Sequence, residues 1–109
     1  MKIVVTAREP RVDAEVDPRF GRAACFAVFD TETAAYEFKD NSQNVEAAHG
    51  AGIQAGSTVA DLGVSVVLTG DCGPKATRTL EAAGIEIVTG VTGTVQDACK
   101  RYLADRANA

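Results

Sequence analysis

The sequence lacks the features that mark several large classes of protein. No apolar run approaches the roughly 20 residues of a membrane-spanning helix. The start, MKIVVTAREP, has no long apolar stretch followed by a small-residue cleavage site, so we expect a first strand there and no signal peptide. With 11 basic and 15 acidic residues the formal charge is −4, which does not suit binding to nucleic acid or to an anionic membrane.

Residues typical of catalytic and metal sites are also scarce. The three cysteines form no Cys-x-x-Cys pair and no disulfide framework, so we expect free thiols in a reducing cytoplasm. With one histidine, no spacing suggests a Ser/His/Asp set, and no carboxylates form an obvious pair. The loop GDCGPK at residues 70–75 is not a P-loop, because its glycine–lysine spacing is wrong and no Ser or Thr follows the lysine. Hydrolytic catalysis therefore has little support.

What is present is the composition of one soluble globular domain covering residues 1–109, with 46% hydrophobic and 24% charged residues. Apolar runs predict five strands, at residues 2–7, 23–30, 35–39, 64–69 and 85–88. Helical patterns predict three helices, at about residues 50–62, 74–83 and 94–105. The order β-β-β-α-β-α-β-α predicts an α/β domain with a mixed five-stranded sheet on which three helices pack.

The chain is organised around the stretch VSVVLTGDCGPK at residues 64–75. A buried strand leads into a Gly-rich loop, and Pro74 suits the first position of a helix. Cys72 is therefore expected between the carboxyl end of a strand and the amino end of a helix, where α/β sheets bind ligands and the helix dipole favours an anion or a thiolate. Two interpretations are open: a low-pKa thiol near Lys75 that acts as metal ligand or nucleophile, or a small residue that fills the loop.

Three further residues are candidates for chemistry. His49 precedes a glycine-rich helix start, which should lower its pKa and keep the ring in the neutral form that binds metal; the alternative is an ordinary surface histidine. Cys99 lies on the apolar face of the last predicted helix, and Cys25 lies inside the second strand. Both thiols are expected in the core.

A long segment without periodicity covers residues 8–22. We expect its first half to be poorly ordered, because no large apolar anchor precedes Phe20. Its end, DPRFGR at residues 17–22, is a compact basic and aromatic turn. It is either a solvated turn anchored by Phe20, or a clamp in which Arg19 and Arg22 face an anionic ligand while Phe20 shields it.

The chain resembles the dinitrogenase iron–molybdenum cofactor biosynthesis family in four segments, which are KIVVTA, DPRFGRAACFAVFD, HGAGIQA and VVLTGDCGPKATRTLEAAGIEIV. That family includes NifX, the C-terminal domain of NifB and the molybdenum–copper orange proteins. The most specific pieces are RFGR before an aromatic strand and TGxxGPKA at the start of a helix. The resemblance implies an α/β fold of ribonuclease H-like topology, without nuclease activity.

The resemblance further implies a function and a site. The function is non-enzymatic binding, carriage or storage of an anionic metal–sulfur cluster, of Fe–Mo–S or Mo–Cu–S type, exchanged with a donor or acceptor protein. The implied cofactor-binding residues are Arg19, Phe20, Gly21, Arg22, Gly70, Gly73 and Lys75, with Cys72 and His49 as candidate metal ligands. Two alternatives stay open: a metal-free regulatory or interaction domain of the same fold, and a thiol enzyme that uses Cys72.

Overall fold

The computed structural model describes residues 1–41 and 51–107. Along this part of the chain the elements are β1 (Lys2–Ala7), β2 (Cys25–Asp30), β3 (Ala35–Asp40), α1 (Ala51–Asp61), β4 (Val66–Leu68), α2 (Pro74–Ala82), β5 (Glu86–Val88) and α3 (Val95–Ala107). None of these helices is long and apolar enough to cross a membrane. The order of elements confirms the prediction from sequence, with small differences at the element ends.

The five strands form one mixed sheet in the order β3-β2-β1-β4-β5. The first three strands pair antiparallel. A short turn joins β2 to β3, while the long segment of residues 8–24 joins β1 to β2. Strand β4 pairs parallel with β1, and β5 pairs parallel with β4. A parallel pair needs a crossover connection, and α2 provides the one between β4 and β5. This is the ribonuclease H-like arrangement that the sequence predicted.

Strand β4 is an inner strand, as predicted for residues 64–69. Val66, Val67 and Leu68 are buried, and Ser65 just before them is exposed. A strand covered on both faces has no polar side to show, which is why its sequence is an almost continuous apolar run. The carboxyl end of this strand leads directly into the loop that carries the candidate site.

The sheet separates two apolar cores. Successive side chains of a strand point to opposite faces, so Val4 of β1 packs with α1 and α2, while Ile3 and Val5 pack with α3. Cys25 and Cys99 are both buried in the second core, on the α3 side, as expected. The candidate site therefore lies on the other side of the sheet, with α1 and α2.

The segment of residues 8–22 is anchored to the domain before Phe20 by small side chains, while no large apolar side chain precedes Phe20, as expected. That its first half is poorly ordered without ligand stays a prediction. Ala14 and Val16 are buried. The N–H of Val16 donates to the Gly93 carbonyl at 2.9 Å, and the N–H of Val95, the first residue of α3, donates to the Ala14 carbonyl at 2.9 Å. Small, non-periodic side chains make this anchor, so the hydrophobic pattern gave no signal of it.

Candidate functional site

The turn of residues 17–22 is fixed at its start by a buried aspartate. The Asp17 carboxylate Oδ1 accepts the N–H of Arg19 at 3.0 Å, a bond that stabilises a tight turn. The N–H of Asp17 donates to the Thr6 carbonyl at 2.8 Å, and the Thr6 hydroxyl donates to the Asp17 carbonyl at 2.8 Å. The turn is thereby attached to the last residues of β1, next to the carboxyl end of β4.

The turn lies directly against the loop that follows β4. The N–H of Phe20 donates to the Asp71 carbonyl at 3.0 Å, within a short parallel β-bridge between the two segments. Gly70 permits this approach, because a Cβ added there would lie only 2.6 Å from the Cα of Pro18. The DPRFGR and GDCGPK segments, which are distant in sequence, are therefore neighbours in space.

Helix α1 supplies a third wall. A Cβ on Gly21 would lie 2.9 Å from the Cα of Gly52, so the turn touches the helix backbone. On its other side Gly52 faces α2, where an added Cβ would lie 3.3 Å from the Cβ of Ala76. Three backbone segments meet here with little side-chain volume between them.

An open cleft of about 430 Å³ lies between these three walls. Six of the predicted site residues line it, namely Arg19, Phe20, Gly21, Arg22, Gly73 and Lys75. The sequence reasoning missed other parts of the lining, including the start of α1 at Ala51 and Gly52 and the residue Asp71. The described lining thus carries three cationic side chains and one carboxylate.

Two of the predicted residues that the structure describes, Gly70 and Cys72, are not in that lining. Gly70 lies behind the lining, where it makes the close backbone contact between the loop after β4 and the turn of residues 17–22. His49 lies outside the described residues, so its role as a candidate ligand stays a prediction. Cys72 is half-buried and packs against the apolar core on the α1 and α2 side.

Of the two interpretations of Cys72, the low-pKa thiol is not supported. Burial raises the pKa of Cys72, a hydrogen bond with Thr77 opposes that rise, and the negative charges of Asp71 and Glu81 add to it. Direct metal ligation by this sulfur stays a prediction.

Phe20 is a lining residue of the cleft, but its side chain is packed in the core beneath the turn. It is 1% exposed and lies 5.6 Å from the Phe26 ring, centroid to centroid. This corrects the idea of Phe20 as a shield over a ligand, because a ring buried in the core acts as an anchor for the turn. Arg19 and Arg22 line the cleft, and their action as a clamp on an anionic ligand stays a prediction.

The amino end of α2 opens into the cleft. Gly73 is the N-cap residue, makes no side-chain cap, and is followed by Pro74 in the first turn. First-turn N–H groups have no acceptor within their own helix, and both Lys75 and Ala76 are in the cleft lining. Together with the guanidiniums and the helix dipole, these donors make the cleft suitable for an anion.

The donor set favours an anion over a bare metal ion. Within residues 1–41 and 51–107, no group of three or more His, Cys, Asp or Glu side chains is placed to hold a metal ion. Guanidinium, ammonium and backbone N–H groups bind the outer atoms of an anion instead. The arrangement can hold a negatively charged ligand by hydrogen bonds and charge.

Fold and cleft together define a small α/β protein of ribonuclease H-like topology with a cleft at a helix amino end that three cationic side chains line. The chain belongs to the dinitrogenase iron–molybdenum cofactor family, whose sequence pattern matches residues 1–105.

Similar proteins of known structure or sequence support this family membership. The chain is similar to the apo form of the orange protein from Desulfovibrio gigas, with 46% identity and a TM-score of 0.93 over 96% of this chain and 88% of that one. It is also similar to a NifB-like protein from Thermotoga, with 28% identity and a TM-score of 0.84 over 96% of this chain and 89% of that one. A relative of uncharacterised function from Methanocaldococcus jannaschii is 27% identical over 90 residues, which are 81% of this chain and 76% of the relative.

We expect Cys72 to react slowly with alkylating reagents. Its raised pKa means that the neutral thiol persists to higher pH than in an ordinary cysteine. Peptide mass mapping of the native protein after iodoacetamide pulses across a range of pH follows this thiol separately from the others. The same peptide in denaturant is the control, and its reaction midpoint should lie at lower pH. A native midpoint below the denatured one would restore the thiol-enzyme interpretation.

Proposed function

We propose that the cleft binds a preformed anionic metal–sulfur cluster, and that the protein carries or stores this cluster without catalysing a reaction. The observation that supports this most is the cleft composition, with Arg19, Arg22, Lys75 and the amino end of α2 around one cleft. A cluster brings its own sulfide ligands. It therefore needs charge compensation and hydrogen-bond donors from the protein more than a set of chelating side chains.

Family membership suggests the chemical class of the cargo. The family is that of the dinitrogenase iron–molybdenum cofactor, and the similar orange protein is described in an apo form. We therefore propose a cluster of Fe–Mo–S or Mo–Cu–S type, received from a donor protein or passed to an acceptor protein. The three cysteines are free thiols, which suits a reducing cytoplasm.

The two alternatives have less support. The thiol enzyme required an activated Cys72, and the pKa of that thiol is raised instead. A metal-free interaction domain would not need three cationic side chains converging on one cleft. The titration below distinguishes this second alternative from cluster binding.

Anaerobic titration with tetrathiomolybdate, alone and with copper(I) or iron(II), tests the proposal. We expect a saturable change in absorption with the wild-type protein. Lys75→Ala should weaken binding by about 1 kcal/mol, more at low than at high salt, because it removes a charge from the cleft.

Lys100→Ala is the matched control, since it removes the same charge from an exposed position on α3, across the sheet. It should bind as the wild type does. The proposal is wrong if the wild-type protein shows no saturable uptake, or if the Lys75 and Lys100 variants have equal affinity.

A further inference from the structure

A buried amide holds the backbone on both sides of Arg22. Asn41 directly follows β3 and is 1% exposed. Its side-chain Nδ2 donates to the Gly21 carbonyl at 3.2 Å and to the Ala23 carbonyl at 2.8 Å. The backbone N–H of Asn41 also donates to the Ala24 carbonyl, at 3.0 Å. Gly21 and Ala23 are the two neighbours of Arg22 in the chain.

The side-chain amide of Asn41 is suited to this buried position because its N–H donors have acceptors there. Burying a polar side chain is unfavourable unless its hydrogen-bonding groups find partners. A primary amide has two N–H donors, and here both go to carbonyls that lie one residue to either side of Arg22. Asn41 therefore restrains the backbone around Arg22, at the peptide group that precedes Arg22 and at the one that follows Ala23.

Arg19, the other arginine of the turn, is positioned by Asp17 and not by Asn41. The Asp17 carboxylate accepts the backbone N–H of Arg19 at 3.0 Å and lies 3.8 Å from its Nε. Asp17 and Asn41 stand at opposite ends of the turn. The backbone of the turn therefore has a separate anchor beside each of the two arginines that line the cleft.

We propose that Asn41 is a positioning residue for cluster binding, which acts through Arg22 and not through Arg19. The inference rests on the proposed function of the cleft. A donor that is already oriented in the free protein loses less conformational entropy on binding and so binds more tightly. Without the amide, the flexible backbone at Gly21 lets Arg22 sample other directions, and each binding event must order it again.

Two double-mutant cycles on tetrathiomolybdate affinity test this inference. Asn41→Ala should weaken binding roughly fivefold in the wild-type and Arg19→Ala backgrounds, and have almost no effect in the Arg22→Ala background. Equal losses in the Arg19→Ala and Arg22→Ala backgrounds would overturn it, because a general loosening of the fold affects both arginines alike.

A measurement without cargo provides the second readout. In ¹⁵N relaxation of the free protein, Asn41→Ala should increase fast motion at the amide of Arg22 and leave that of Arg19 unchanged. Asn41→Ser is made in parallel, in case the alanine variant does not fold. If neither variant folds, or if the motion at Arg22 is unchanged, Asn41 is a structural residue only and the inference is overturned.

The outcomes separate this inference from the proposed function. No uptake of thiomolybdate by the wild-type protein defeats the proposed function, and the inference falls with it. Uptake by the wild type combined with an additive Asn41 and Arg22 cycle defeats the inference alone.

Discussion

Gly70→Ala should destabilise the protein by roughly 2–3 kcal/mol, which is a large effect for the addition of one methyl group. The added Cβ would lie 2.6 Å from the Cα and 2.7 Å from the carbonyl oxygen of Pro18. Both atoms belong to the backbone, so no side chain can rotate away, and the turn must separate from the loop. Thermal unfolding measures this loss, which should lower the melting temperature by roughly 10 °C or more.

Gly73→Ala is the matched control for this substitution. It lies three residues further along, and an added Cβ there would meet nothing within 4 Å among the described residues. Its φ of −63° and ψ of 163° are accessible to any residue. The Gly73 variant should unfold close to the wild-type temperature. If both variants unfold at the same temperature, the backbone contact between Gly70 and Pro18 does not hold the cleft together.

Replacing both cleft arginines should reduce cluster affinity by roughly 10²- to 10⁴-fold, since each loses about 1–3 kcal/mol of charge-assisted hydrogen bonding. The double variant is Arg19→Ala with Arg22→Ala. The remaining affinity should depend less on salt than that of the wild type, because most of the screened attraction has been removed. Thiomolybdate titrations at several ionic strengths measure both effects.

Arg8→Ala with Arg11→Ala is the control for this double variant. It removes two charges from the same segment of chain, but these side chains pair with Glu15 and Glu9 at the surface and do not line the cleft. It should bind cluster nearly as the wild type does. Equal affinity losses in the two double variants would mean that net charge, and not the cleft, controls binding.

The fold could be predicted because its signals are local. Residues 64–69 form a short apolar run of the length of a strand, and such a run predicts a strand covered on both faces. Gly63 and Gly84 end α1 and α2 with φ of +71° and +75°, the left-handed conformation that glycine adopts readily. Such features can be recognised within a few residues, so the order and number of elements followed from them.

The site could be predicted only in its local parts. The DPRFGR turn and the loop after β4 are visible as motifs, and the structure brings them together. Asn41 was missed because it belongs to the polar stretch DNSQN, where nothing local distinguishes a buried asparagine from a solvated one. Its partners are 18 and 20 residues away, and only the pairing of β2 with β3 brings them within reach.

The sequence could not decide between the two interpretations of Cys72 for a related reason. Its position between strand and helix is local information, and it is compatible with a stabilised thiolate as well as with a small residue that fills the loop. The pKa depends on how much of the sulfur is buried against α2 and the core, which is a property of the tertiary packing. A sequence pattern places the residue in the loop but does not say which way its side chain turns.

The central claim is that this cleft, and no other part of the molecule, receives the cluster. Anomalous diffraction at the molybdenum absorption edge, from crystals of the protein saturated with thiomolybdate, tests it most directly. We predict one dominant molybdenum peak between Arg19, Arg22 and Lys75, next to the amino end of α2. A dominant peak elsewhere on the molecule, or no peak at saturating thiomolybdate, would contradict the account.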